Sequence, residues 1–419
     1  MSAEFSMDKL QSIKEYAKKN SVPIMFDETS DFICKYIAKH EVHNILEIGS
    51  AIGYSAIRFA SVKPDVKVTT IEIDIDRAIK AIENIKSENL SDRITLINMD
   101  AMAVDLKDSF DLIFIDAAKA QYTRFFEKFK NNLSENGVII SDNLSFHGMV
   151  EDHSLTHNYS TIKLVRKIKR YVDFLKFNTE FTTTFYKCGD GISVSKKNDF
   201  IDFSQLKKIA QGNSADFFEY KNNKVIKLYK KDFSKEAVLK EFSNTLKINS
   251  LDLPAPKAFR VFFQDGMYAA IYEKIDGKTL SQIEDEKERL NAILKSVELQ
   301  KKISSIQTED FESFKDFLLA QIKDKSNPEN FETIRKIKHL PEGNRICHGN
   351  FQPQKIILKD DDSLCPINFS HTVKGPVEFD IACTYKFLSK TISKDFAEKY
   401  LIKTETSFEE IKPFLDIES

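Results

Sequence analysis

Tryptophan is absent from the 419 residues, and glycine and proline are scarce, at 12 and 10. So little of either excludes collagen-like and low-complexity architectures. The five cysteines, Cys34, Cys188, Cys347, Cys365 and Cys383, form no C-x-x-C pair. Their odd number argues against a disulfide framework, and their spacing against structural zinc. Reduced, mostly buried thiols are expected. No apolar run approaches the ~18 residues of a membrane span. The charged segment Met1 to Asn20 lacks the apolar stretch of a signal peptide. A soluble, cytoplasmic protein is therefore expected. Excess charge is missing too: 62 basic and 64 acidic residues leave a net charge of -2. That speaks against a general nucleic-acid coat, though not against a local basic patch.

What is present is 42% hydrophobic sequence with 34 phenylalanines, enough for real cores. The length suggests two or three domains. Phe5, Leu10, Ile13 and Ala17 recur at helical spacing near the start. From Asn44 onward, short apolar strands alternate with helices. The strands are Asn44 to Ile48, Val66 to Ile71, Ile94 to Asn98, Leu112 to Ile115 and Val138 to Ser141. The helices include Tyr54 to Ser61, Arg77 to Ser87 and Tyr122 to Leu133. Continuous apolar strands in that alternation predict a parallel, doubly wound α/β sheet. Phe181 to Tyr186 and Gly191 to Ser195 close it as an antiparallel pair.

The pattern changes near Asn198. Phe217 to Tyr220 and Lys224 to Tyr229 read as a hairpin across Asn222-Asn223. A charged helix and two further strands, Phe259 to Phe263 and Tyr268 to Glu273, follow. Ala292 to Ile306 and much of Phe311 to Lys338 read as helical. Strands followed by helices predict a separate α+β domain, giving domains 1–197 and 198–419. Neither is basic: the first holds 27 basic and 28 acidic residues, the second 35 and 36.

Ile45-Leu46-Glu47-Ile48-Gly49-Ser50-Ala51-Ile52-Gly53 ends a strand and opens a helix. Glycine is needed where backbone passes close to a ligand at a strand's carboxyl end. Glu72 ends the next strand, where a carboxylate can accept from ribose hydroxyls. Asp100, beside Ala101, ends the third, where it can face an adenine amino group. Asp116 follows the fourth strand; Asp142 and Asn143 follow the fifth. Strand ends of an open parallel sheet meet at one edge. Two carboxylates and an amide carbonyl there form an all-oxygen site suited to Mg²⁺, Mn²⁺ or Ca²⁺ rather than Zn²⁺.

Leu46 to Ile57, Phe114-Ile115-Asp116-Ala117-Ala118-Lys119 and Ser141-Asp142-Asn143 together resemble the metal-dependent class I S-adenosylmethionine O-methyltransferases, with the catechol and caffeoyl-CoA enzymes. The resemblance covers nearly all of residues 1–197 and implies a Rossmann-like seven-stranded domain. Pro23-Ile24-Met25, Ala118 to Tyr122 with Arg124-Phe125-Phe126, and Gly189-Asp190-Gly191-Ile192 are similar to the bacterial tRNA 5-hydroxyuridine methyltransferases. The resemblance implies a cofactor pocket of Met25, Ser55, Glu72, Asp100, Ala101 and Asp116, with Glu47 and Gly49 near the methionine end. It implies Mg²⁺ on Asp116, Asp142 and Asn143, Lys119 as general base, and a homodimer. Like charge from a metal and a sulfonium would push Lys119 toward the neutral form a base needs.

The acceptor is less defined. 5-Hydroxyuridine and catechols each pair a hydroxyl with a neighbouring oxygen, so chelation does not separate them. Lys163, Arg166, Lys167, Lys169 and Arg170 crowd one helix without an acid among them, which suits phosphate contacts. With the resemblance, they favour tRNA over a small phenol. His147, His153 and His157 are expected in a loop over the substrate rather than around a second metal.

From about Phe200 onward the sequence is similar to the aminoglycoside and choline phosphotransferases, which implies a protein-kinase-like fold. Gln211 to Ala215 would cover a nucleotide. Lys224-Val225-Ile226-Lys227 supplies the phosphate lysine, Lys227, with Glu236 or Glu241 as its partner. The catalytic segment departs from the pattern. His348-Gly349-Asn350 stands where the family has His-Gly-Asp, Lys355 replaces the metal-binding Asn, and Ile367-Asn368-Phe369 has lost the metal Asp. Asp380 is retained, but its family role is structural. Phosphoryl transfer needs Mg²⁺ and a carboxylate base, so a catalytically inactive domain is expected. An alternative is a regulatory protein in which this half is the main binding module. Asp360, Asp361 and Asp362 are expected to form a hairpin turn.

Overall fold

The computed structural model describes residues 7–150 and 152–417. The chain divides into two compact units, Met1–Phe200 and Ile201–Ser419. In the first, α1 (Met7–Lys19) and α2 (Asp27–Lys39) precede β1 (Asn44–Ile48). Ile13 and Ala17 are buried as the helical spacing requires; Phe5 lies outside the described residues. The alternation continues through α3 (Tyr54–Ala60), β2 (Lys67–Glu72), α4 (Ile75–Ser87), β3 (Ile94–Asn98) and β4 (Phe110–Ile115). It ends with α5 (Tyr122–Phe129), β5 (Leu133–Ser141), α6 (Tyr159–Lys176), β6 (Phe181–Tyr186) and β7 (Ile192–Lys197).

The seven strands run in the order β3-β2-β1-β4-β5-β7-β6. β1 to β5 are parallel, and β7 is antiparallel to both β5 and β6. Alternate residues serve two cores, as a strand's period of two demands. Leu112 and Phe114 pack with Ile45, Ile57 and Phe59 on one face. Ile113 and Ile115 pack with Leu46, Tyr122 and Phe126 on the other. Helix α5 is shorter than its apolar spacing suggests: it stops at Phe129, and Leu133 already opens β5.

The second unit opens with an antiparallel sheet of order β11-β12-β10-β9-β8. Its strands are β8 (Lys208–Gln211), β9 (Ala215–Tyr220), β10 (Lys224–Tyr229), β11 (Ala258–Gln264) and β12 (Met267–Glu273), with α7 (Lys235–Asn249) between β10 and β11. Asn222 and Asn223 both take positive φ, 60° and 53°, the conformation of a two-residue hairpin turn. A helical part follows, built on α8 (Glu286–Ser304), α9 (Phe314–Gln321), α10 (Phe331–His339) and α11 (Val377–Thr391). Much of the stretch from Phe311 to Lys338 is helical as expected, in two helices parted by a turn at Pro328. Asp360 to Asp362 lie between two strands paired antiparallel, Ile356–Leu358 and Leu364–Pro366.

Candidate active site

Strand order reverses between β1 and β4, so their carboxyl ends open the crevice where doubly wound sheets bind ligands. Gly49 follows β1 with φ +102°, and a Cβ there would lie 2.2 Å from the Asp116 carbonyl oxygen. Only glycine lets the two strand ends approach so closely. Gly53, at φ +81°, then starts α3. Glu72, at the end of β2, ties this loop down. One carboxylate oxygen accepts from the Ala51 N–H at 2.8 Å and the other from the Asp74 N–H at 2.9 Å.

A cavity of about 660 Å³ sits over these ends. Its wall brings together Met25, Gly49, Ser55, Glu72, Asp100, Ala101, Asp116, Lys119 and Asn143. Glu47 is not on that wall. Strand alternation turns it to the Ile45 face, where it is wholly buried and accepts from the Thr70 hydroxyl at 2.5 Å. Burial pushes its carboxyl up to about 7. Asp142 also sits behind the wall, with no exposed surface.

The negative charge of the crevice is concentrated at Asp116 and Asp142. Burial raises the Asp116 carboxyl, opposed by the Lys119 ammonium. Burial, and then the Asp116 charge, push Asp142 up to about 7. Its Oδ1 accepts from the Asn143 N–H at 2.7 Å and from the Thr29 hydroxyl at 3.4 Å. Its Oδ2 is buried and has no hydrogen-bond partner. Asn143, in the left-handed region at φ 58°, presents its Oδ1 to the Lys119 ammonium at 2.7 Å. Two carboxylates that resist ionising together, an orphaned carboxylate oxygen and an amide oxygen held by a cation fit a divalent, oxygen-liganded ion.

Several neighbours lack an obvious sequence signal. Thr29 holds Asp142 from α2. The Tyr122 hydroxyl donates to the Asp142 carbonyl at 3.2 Å. Phe146 and Asp190 line the cavity, as does His147, which the sequence does single out for the loop there. Only the glycines flanking Asp190 hint at a constrained turn. His157 is exposed, the His153 side chain lies outside the described residues, and no three-residue His/Cys/Asp/Glu metal cluster occurs among the described residues. On α6, Val165, Ile168, Tyr171 and Leu175 are buried, while Lys163, Arg166, Lys167, Lys169 and Arg170 are all exposed.

In the second unit, Lys227 is buried on β10 and donates to both oxygens of Glu241, at 2.6 and 2.8 Å. Glu241 lies on the inner face of α7, whereas Glu236 is exposed in its first turn. Burial, and then the Lys227 charge, lower the Lys355 ammonium pKa. Asp380 is buried, accepting from the Gly349 N–H at 2.7 Å and from Gln300 at 2.9 Å. Asn350 Oδ1 is buried without a partner.

The sheet order, the glycine turn after β1, the acid at the end of β2 and the carboxylates after β4 and β5 define a Rossmann-like methyltransferase fold. Residues 1–198 match the model of the O-methyltransferase family, and the chain belongs to the phosphotransferase enzyme family through residues 205–414, half of its length. The first unit is an S-adenosylmethionine-dependent O-methyltransferase. A catechol O-methyltransferase of Niastella koreensis is 32% identical over 154 residues, 34% of this chain and 66% of that protein. A caffeoyl-CoA O-methyltransferase of Populus kitakamiensis is 23% identical over 193 residues, 44% of this chain and 82% of its own. A solved caffeoyl-CoA-type structure from Staphylococcus aureus is 36% identical, with a TM-score of 0.44, covering 45% of this chain and 92% of that one. Among the described residues, no helix is long and apolar enough to cross a membrane.

Proposed function

We propose that the first unit methylates a hydroxyl flanked by a second oxygen, with Mg²⁺ held by Asp116, Asp142 and Asn143. The convergence of Asp116, Asn143 and Lys119 on the cavity wall, with Asp142 directly behind it, carries the reading. When bound, the ion supplies Lewis acidity that lowers the pKa of the acceptor hydroxyl. Lys119, as the neutral amine, receives the hydroxyl proton and becomes the ammonium as the oxygen attacks the sulfonium methyl; the carbon–sulfur bond breaks and leaves a thioether. Glu72 and Asp100 hold the ribose and adenine, and Gly49 lets the methionine end reach the strand tips. The family resemblance adds a homodimer, which light scattering tests.

The acceptor in this reading is 5-hydroxyuridine at the tRNA wobble position, giving 5-methoxyuridine. The five exposed cations of α6 support it, because a polyanion gains by releasing counterions. A catechol-like phenol is the competing acceptor, in line with the names of the relatives. Full-length protein, labelled cofactor and Mg²⁺ are incubated with hydroxylated tRNA or with catechol. Label should enter tRNA, and replacing the five cations with alanine should flatten the salt dependence by roughly 0.7–0.9 per lost phosphate contact. Label in catechol alone would assign the site to small phenols.

For the second unit we propose a pseudokinase without phosphoryl transfer, able to hold a nucleotide phosphate through Lys227. Neutral amides at 350 and 368 neither accept a hydroxyl proton nor bind Mg²⁺ as carboxylates do.

A further inference from the structure

We propose that Asp190 is a positioning residue for the divalent-ion site. It lies 48 residues beyond Asp142, in the turn joining β6 to β7, and the proposal rests on the metal reading above. Three bonds tie that turn to the segment directly after Asp142 and Asn143. The Leu144 N–H donates to the Gly191 carbonyl at 3.0 Å, and the Ser145 N–H to the Asp190 carbonyl at 2.8 Å. The Asp190 carboxylate accepts the His147 N–H at 2.5 Å.

The same turn reaches the ligands from the other side. A Cβ on Gly189 would fall 2.3 Å from the Thr29 hydroxyl oxygen, the group that holds Asp142 Oδ1. The Gly189 N–H donates to Glu28 at 3.1 Å, fixing the turn to the start of α2. Gly191 could not carry a side chain either, since its Cβ would lie 2.9 Å from the Ser145 nitrogen. Gly189 and Gly191 take φ +53° and +84°, so backbone conformation and space both call for glycine on each side of Asp190.

The segment being held needs holding. Asn143, Phe146 and His147 all have positive φ, 58°, 48° and 59°, a costly conformation for residues with side chains. Asp190, 7% exposed, buries an acceptor against one of these strained residues. The turn therefore keeps Asn143 and Asp142 aimed, acting through the backbone rather than by touching the reacting atoms. Outer groups that orient metal ligands typically contribute 10–100-fold to metal affinity.

The test is a Mn²⁺ titration of the full chain with S-adenosylhomocysteine bound, read by electron paramagnetic resonance. No acceptor is needed. Asp190→Ala should weaken Mn²⁺ by about 10–100-fold, with S-adenosylhomocysteine affinity within about twofold of the parent. Asp190→Asn, whose amide oxygen accepts the same N–H, should restore most of the loss. Thr29→Val, which keeps the shape and removes the hydroxyl, gives an independent reading if the alanine variant does not fold. Parent-like Mn²⁺ affinity in Asp190→Ala or Thr29→Val would overturn the proposal. So would a failure of Asp190→Asn to recover, or equal losses of metal and cofactor. If the unaltered protein binds no Mn²⁺, the metal reading itself falls, a result distinct from a parent that binds and a variant that binds equally well.

Discussion

Both units bury charged side chains, but they resolve the cost differently. In the first, Asp116 and Asp142 share a buried crevice, and one carboxylate oxygen of Asp142 has no partner. In the second, Lys227 is also buried, yet Glu241 meets it with both oxygens. Burying an unpaired charge is expensive, and a paired one much less so. The first unit is thus left short of a cation, while the second has satisfied itself internally. Lys355 carries the contrast further, because it adds positive charge beside Lys227 where a phosphoryl-transfer site would place a metal. The overall charge balance, near neutral in both halves, conceals this opposition.

Two substitutions would break or sharpen the contrast most strongly. Asp142→Ala removes the carboxylate that has an open oxygen. Loss of several kcal/mol of Lewis-acid stabilisation means roughly a thousandfold slower methylation, measured with labelled cofactor. Cofactor affinity should stay nearly unchanged, because Asp142 is behind the cavity wall. Lys227→Met instead leaves Glu241 buried and unpaired. It should destabilise the second unit by about 3–5 kcal/mol, visible as an earlier calorimetric transition, while methylation continues. The next effect concerns Lys119. Lys119→Ala should slow methylation by about 10²–10⁴-fold. Lys119→Arg should not rescue it, since guanidinium keeps its proton. Recovery by arginine would reassign Lys119 from base to counter-charge.

How much of this was legible in the sequence depends on whether the signal is local. The glycine turn after β1, the acids ending β2 and β3 and the Asp116/Asp142/Asn143 set each sit at a strand end, and strand ends are readable from apolar runs. Glu47 is harder to place from the strand alone, because a single strand residue can face either core; it lies behind the cavity wall, bonded to Thr70 and to the cavity-lining Ser55. Glu241 could not be separated from Glu236 because both lie on one helix, five positions apart; the buried face of α7 decides. Thr29 and Asp190 act across 113 and 43 residues of chain, a relation no local pattern encodes. The break near Pro328 is local and legible, since Lys323 to Asn330 carries no apolar side chain but the proline.

The smallest expected effect is also the most direct comparison of the two units, because their buried groups oppose each other in pH. Glu47 titrates near about 7 when folded, above its ordinary 4.5. The folded first unit therefore binds a proton that the unfolded chain has released. Its contribution is full below about 4.5 and is lost as pH rises through about 7. His348 is the reverse: burial between the Phe351 and Phe369 rings lowers it from 6.5 to about 3. Its contribution is full above 6.5 and is lost as pH falls toward 3. Lowering the pH from 7 to 5 should then raise the melting temperature of the metal-free first unit and lower that of the second, each by a few degrees (about 2–4 °C per kcal/mol at this size). Calorimetry of the full chain reads both transitions. Glu47→Gln should reduce the first response, leaving the part due to Asp142, whose carboxyl is also pushed up to about 7, and His348→Gln should flatten the second. If both transitions moved in the same direction in the unaltered chain, the opposition between the two interiors would fail.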